Sequence, residues 1–313
     1  MGKYKNIFTI ILILLVIFLS VFPKVFPGYW VRVLTNIFMY GVLASALNII
    51  AGYTGYVAFE NSVFFGIGAY TAAVMMTNHN WNFYLSMGLG AFLVALFAFI
   101  VGFPLLRLRG PYFTIATIGV NGAVLEIVNN LEFTGGGEGI TLPLIQMSPQ
   151  STYAFFYYLM FVVLLFTVII TYWLSRVKFG YALRAIKANE EAANAIGINS
   201  AMYKTLAWVI SAVFTAFVGS IYAYWMTFID PAGVFDIMIG VKSFVMMLLG
   251  GGGTVFGPLI GATILELISE FVWSNFLMLH LMILGTIIVI TVMFMPRGIV
   301  AFFKKRKIDR RIA

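Results

Sequence analysis

The 313-residue chain contains no cysteine, which excludes disulfide staples and thiolate metal sites and leaves the redox compartment open. Charge is scarce as well: 10% of residues are Asp, Glu, Lys or Arg, against about a quarter in ordinary soluble domains. The two histidines, His79 and His280, have no second His or Cys at a metal-ligand spacing, and they furnish no Ser-His-Asp arrangement. A phosphate-cradling loop is missing too. Its pattern, G-x-x-x-x-G-K-[ST], surrounds the phosphates with backbone amides and reaches them with its lysine. The sole Gly-Lys pair here, Gly2-Lys3, is followed by Tyr4. The chain is therefore read as a non-enzyme that cannot hydrolyse ATP alone, and no cofactor is expected.

What fills the sequence is apolar: 62% hydrophobic residues and a mean hydropathy of +1.01, more than a soluble core absorbs. Several runs approach the roughly 20 apolar residues that cross a bilayer as a helix. The expected fold class is all-α, a polytopic transmembrane helical bundle of about ten spans (eight to ten), organised as a single transmembrane domain over 1–313. The first span falls within 1–30: Lys3 and Lys5 precede an apolar run from Ile7 to Phe22, and no small-x-small cleavage site follows, so the segment reads as retained. Further spans are expected at Val31–Ile50, Val57–Met76, Phe83–Leu106, Tyr112–Leu131, Tyr153–Leu174, Thr205–Phe228, Ile237–Leu249, Val255–Trp273 and Phe276–Met295.

Cytoplasmic loops hold an excess of Lys and Arg. Placing both termini in the cytoplasm puts 16 of the 19 basic residues there, with Lys24 and Arg32 outside and Lys242 within a span. The net charge of +8 is concentrated in the tail 297–313, which reads as a solvated flank of a membrane helix and not as a nucleic-acid patch. The same assignment makes 175–204 the longest cytoplasmic loop.

That loop carries "RAIKANEEAANAIGIN", in which Arg184, Lys187, Glu190 and Glu191 crowd into eight residues of an otherwise greasy chain. Alanine and straight-chain charged residues favour helix, and Gly197 is a natural C-terminal stop. Lys187 and Glu191 are four apart, the spacing of a pair on one helical face. The small residues Ala192, Ala193 and Ala195 suit a knob pressed into a partner's groove, with the charges setting its register. A solvated loop helix with no partner is the plainer alternative.

Two glycine-rich breaks, "AGYTGY" at 51–56 and "GGGGTVFGPLIG" at 250–261, interrupt apolar stretches. They read either as broken spans around a transport site or as tight turns between closely packed helices. Ionisable residues inside spans are costly and hence functional candidates. Glu60 and Lys242 are the clearest; with Asn61, Gly250 and Gly251 they are the translocation-path candidates. Glu126, Glu266 and Glu270 read as residues near span ends or subunit contacts.

Four blocks then stand in order over residues 40 to 300: "GYTGYVAFENSVFFGIGAYTAAVM"; "LRLRGPYFTIATIG" with the later "TGGGEGI"; "YALRAIKANEEAANAIGIN" followed by "YKTLAWVISAVFTAFVGSIYAYWMTFIDP"; and "LLGGGGTVFGPLIGA" with "PRGIV". The spacing E-A-A-x-x-x-G at Glu191, Ala192, Ala193 and Gly197 matches the coupling motif of ABC importer permeases. Together the blocks resemble the LivM-type permease of the branched-chain amino acid transporters. The resemblance implies a prokaryotic cell-membrane permease subunit whose helix around Glu191, flanked by Arg184, Lys187 and Glu190, docks on a cytoplasmic ATPase. It further implies a sister permease that is LivH-like, two ATPase subunits, an extracytoplasmic substrate-binding protein and an amino-acid substrate. The sequence lacks the Leu-Pro ending that the motif has in some other importers. Glu60 stands where relatives commonly have a small or neutral residue, and Lys242 resembles the H-type sister. Urea or short amides as cargo, or an ion-coupled secondary transporter using Glu60 and Lys242, are the alternative functions.

Overall fold

The computed structural model describes residues 2–276, 279–294 and 298–299. The basic tail expected at 297–313 therefore lies outside the described residues, apart from Gly298 and Ile299. Among the described residues the chain forms α1 (Gly2–Val25), α2 (Gly28–Leu47), α3 (Asn61–Asn78), α4 (Phe83–Leu105), α5 (Pro111–Asn130), α6 (Pro149–Leu174), α7 (Lys178–Ala188), α8 (Glu190–Ala195), α9 (Ser200–Met226), α10 (Pro231–Val234), α11 (Ile237–Gly250), α12 (Gly257–Asn275) and α13 (His280–Phe294). Among the described residues the strand content is a two-residue ribbon in which β1 (Ile140–Thr141) pairs antiparallel with β2 (Phe228–Ile229).

Helix starts follow from local chemistry. Asn82, Ser148 and Asn199 accept hydrogen bonds from the amides of the second or third residue of α4, α6 and α9, satisfying donors that a helix leaves orphaned. Pro111 and Pro149 occupy first-turn positions, where a missing N–H costs nothing. Six segments among the described residues are long and apolar enough to cross a membrane: 28–52, 83–105, 111–130, 149–174, 200–226 and 231–250. The expected span at Val57–Met76 becomes helical only from Asn61, because the "AGYTGY" break, with Gly55 at φ 80°, is followed by a non-helical segment through 59.

α9 is the central post, with α3 and α4 packed along it and α2 behind. Its approach to α3 is backbone-to-backbone: a Cβ at Gly219 would lie 2.1 Å from the Phe65 carbonyl oxygen, and one at Gly68 would lie 2.5 Å from that of Ala216. Ser220 seals the contact by donating from Oγ to the Gly68 oxygen at 2.9 Å. Small residues allow this closeness where apolar side chains gain nothing by leaving lipid. On the outside, α4 turns Phe92, Leu96 and Ile100 outward, and α5 exposes Tyr112, Ile115 and Ile127.

Candidate functional site

The two glycine-rich breaks meet. After Leu47 the helix widens into a π-turn at 48–52, and Asn48 crosses from it to the second break. The Asn48 Nδ2 donates to the Thr254 oxygen at 2.9 Å, while its Oδ1 accepts from the Gly253 amide at 2.7 Å. A Cβ on Gly52 would fall 2.7 Å from that same amide, so the crossing tolerates no side chain. Gly250 packs against the Gly257 carbonyl, the signature of a tight α11–α12 turn, and Gly251 caps α11 at φ 119°.

The charged loop segment closes over this crossing. Lys187 on α7 donates from Nζ to the Gly52 oxygen at 2.7 Å, and burial pushes its pKa down. Arg184 donates to the Ser175 oxygen at 3.1 Å and lies 5.3 Å from the Tyr53 ring centre. The expected Lys187–Glu191 pair does not form: the helix breaks at Asn189, whose extended backbone ends α7 and whose side chain caps α8 through the Ala192 amide at 3.0 Å. Glu191 instead pairs with Arg109 at 3.0 Å across an exposed surface.

Glu190 is the best-anchored of the four charges. Lys204, at the base of α9 and with only 2% of its side chain exposed, donates from Nζ to Glu190 Oε1 at 2.7 Å, to the Tyr56 hydroxyl at 2.7 Å and to the Leu106 oxygen at 2.8 Å. Tyr56 donates its own hydroxyl to Glu190 Oε2 at 2.5 Å. Burial works to raise the Glu190 carboxyl, but the hydrogen bonds from Lys204 and Tyr56, with the charges of Lys204 and Arg109, outweigh it and hold its pKa below the usual carboxylate value. Burial, followed by the bond to Glu190, raises the Tyr56 phenol, so it stays a neutral donor. This one cluster therefore ties α8 to α9, to the end of α4 and to the segment leading into α3.

α8 closes itself at its other end. Ile198 donates to the Ala193 oxygen at 3.0 Å and Gly197 to that of Asn194 at 3.0 Å, a Schellman pattern that requires the left-handed φ of 89° at Gly197. Ala193 points inward and is 2% exposed, which corrects the expectation that it faces a partner. Ala192, Ala195, Ile196 and Gly197 form the open face, with Ile196 76% exposed. Beside α8 a cleft of about 670 Å³ runs between Ile186, Lys187, Tyr56, Arg109 and Thr114.

The path candidates are scattered by comparison. Asn61 is fully buried and donates to the Leu43 oxygen at 3.1 Å. Lys242 meets Glu266 at 2.7 Å and stands 4.0 Å from the Tyr40 ring centre, so α11, α12 and α2 share one neutralised contact. One turn along α12, Glu270 accepts from the Tyr29 hydroxyl at 2.8 Å and lies 4.0 Å from Arg32. Glu60, which precedes Asn61 at the start of α3, is 1% exposed and meets neither Lys242 nor Arg32. Sequence reasoning missed Lys204, Tyr56, Arg109 and Asn48; Tyr56, Arg109 and Lys204 all stood inside the quoted blocks, Lys204 at the junction of a loop and a span.

No solved structure gives a significant match to the chain. LivM, the high-affinity branched-chain amino acid transport system permease protein of Salmonella typhimurium, is 26% identical over 296 residues, covering 86% of this chain and 69% of the relative; that of Escherichia coli K12 matches to the same extent. LivH of Salmonella typhimurium is 25% identical over 287 residues, covering 83% of this chain and 90% of the relative. Residues 29–292 match the family described as the permease component of the branched-chain amino acid transport system. The chain belongs to that family.

Proposed function

We propose that the chain is the LivM-like permease subunit of an ATP-driven importer of branched-chain amino acids in a prokaryotic cell membrane, enclosing the path together with a LivH-like sister permease. It crosses the membrane about ten times as a single domain with both termini in the cytoplasm, so the loop 175–204 lies on the ATPase side. One observation carries the reading. The charges of Arg184, Lys187 and Glu190 each hold a different part of the membrane body and Glu191 reaches Arg109 across the exposed surface, while α8 leaves an open face of Ala192, Ala195 and Ile196. A helix bound inward by its charges and open outward on small apolar residues is built to receive a push and pass it on.

Two ATPase subunits supply that push by closing on ATP, and a binding protein outside delivers the solute. The movement of α8 is carried by Glu190 and Lys204 into α9 and by Tyr56 into the segment before Glu60, Asn61 and α3. Lys187 carries it to the crossing of Gly52 with the loop after Gly250 and Gly251. Lys242, neutralised by Glu266, is a framework contact between spans, which removes one of the two charges an ion-coupled transporter would use.

The test is reconstitution with the sister permease, the ATPases and the binding protein, followed by uptake and ATP turnover with leucine, isoleucine, valine, urea and short amides in turn. Gly197→Pro removes both the left-handed cap and the amide that bonds Asn194, and Glu191→Arg turns an attraction to Arg109 into a repulsion. Both variants are expected to insert and assemble, yet hydrolyse ATP without uptake. Unimpaired uptake by both, or uptake by the isolated chain under an ion gradient, overturns the reading.

A further inference from the structure

Two carboxyls are buried among the described residues, and they differ in company. Glu266 has Lys242; Glu60 pairs with no Lys or Arg, and neither of its carboxyl oxygens has a hydrogen-bond partner among the described residues. Glu60 lines a cavity of about 10 Å³ with Phe64, Phe97, Leu105, Thr117 and Trp208. The volume suits one water molecule.

The polar inventory of that cavity is short. Thr117 is already committed, donating to the Thr114 oxygen at 2.7 Å and accepting from the Phe59 amide at 3.3 Å. The Trp208 indole N–H, like the Glu60 oxygens, lacks a partner among the described residues. Apart from Glu60 no titratable side chain lines the space. An ionised carboxylate without a counter-charge or donor is costly out of water, so such a group takes up a proton. As a neutral acid it offers one O–H donor and a carbonyl acceptor, while an indole only donates. A water completes the set by accepting from the Trp208 N–H and from the Glu60 O–H and donating back to the Glu60 carbonyl oxygen.

We propose that Glu60 and Trp208 form a binding site for one proton and one water, in which Glu60 stands as an uncharged carboxylic acid bridged by the water to the indole. Infrared difference spectra of the chain in nanodiscs at neutral pH, wild type minus Glu60→Gln, test it. The expected difference is a protonated-carboxyl C=O band that moves to lower frequency in D2O. Ionised-carboxylate stretches in its place overturn the proton. Trp208→Phe is expected to shift the band while keeping it, and an unmoved band overturns the bridging water. Should Glu60→Gln not assemble, Glu60→Leu, which matches the apolar walls, gives the same difference. The readout needs no partner subunit and is independent of uptake.

Discussion

Glu190 and Glu60 are both carboxyls drawn out of water, and the fold treats them in opposite ways. Around Glu190 a lysine and a phenol converge, each also bonded elsewhere, so the charge is kept and becomes a rigid joint between four segments. Around Glu60 nothing cationic converges, the walls are aromatic and aliphatic, and the group survives by giving up its charge. The difference teaches what decides the state of a buried carboxyl in this bundle: where a lysine reaches it, as Lys204 reaches Glu190 and Lys242 reaches Glu266, the charge is kept, and where none does, as at Glu60, it is given up.

The comparison breaks most readily at Lys204. Lys204→Met strands Glu190 without its cation and is expected to lower stability by about 3 kcal/mol, read as a fall in the unfolding temperature of the detergent-purified protein. Adding Glu190→Gln should restore most of the loss, because a neutral amide needs no counter-charge; no recovery in the double variant means that Lys204 acts through the Leu106 carbonyl alone.

Tyr56→Phe removes one bond to a charged acceptor and is expected to cost about 1.5 kcal/mol, half the lysine effect, in the same unfolding measurement. Equal losses for the two variants deny Lys204 its dominant place.

Acid sharpens the contrast by a smaller amount. Because the folded pKa of Glu190 lies below its unfolded value, the joint is fully stabilising above the ordinary carboxyl value of about 4.3 and is lost as pH falls through the lower folded value. Unfolding temperature should therefore drop on that acid limb in wild type, and Glu190→Gln should flatten it. An unchanged slope in the variant assigns the acid sensitivity to other carboxyls.

The smallest effect belongs to Arg109→Ala. Its pair with Glu191 is exposed on both sides, where screening and side-chain entropy cancel the attraction, so the unfolding temperature should not move. A clear fall would make Glu191 a second joint like Glu190.

Much of this was legible from residue order. The apolar runs gave the helices within a few residues, since composition and length suffice where lipid removes the need for an amphipathic pattern; α3 began late only because a non-helical segment follows its glycine break. The end of α8 at Gly197 was equally readable, because capping is local chemistry, whereas its start at Asn189 was not. Pairings were not. Lys187 and Glu191 share a spacing that favours contact on one helix, but Asn189 ends that helix, and the partners chosen, Gly52 and Arg109, lie more than 80 residues away in sequence. Ala193 turned inward for the same reason: which face of a helix of six residues is covered depends on its docking, and composition does not report docking.

Since Asn189 and the Gly197 turn finish both ends of α8 within the chain itself, its open face is a finished surface that needs no partner to mould it. In the coupling role proposed above, a subunit docking there would leave little chain freedom to be lost on contact, so attachment and release would alternate without any segment melting and re-forming in between.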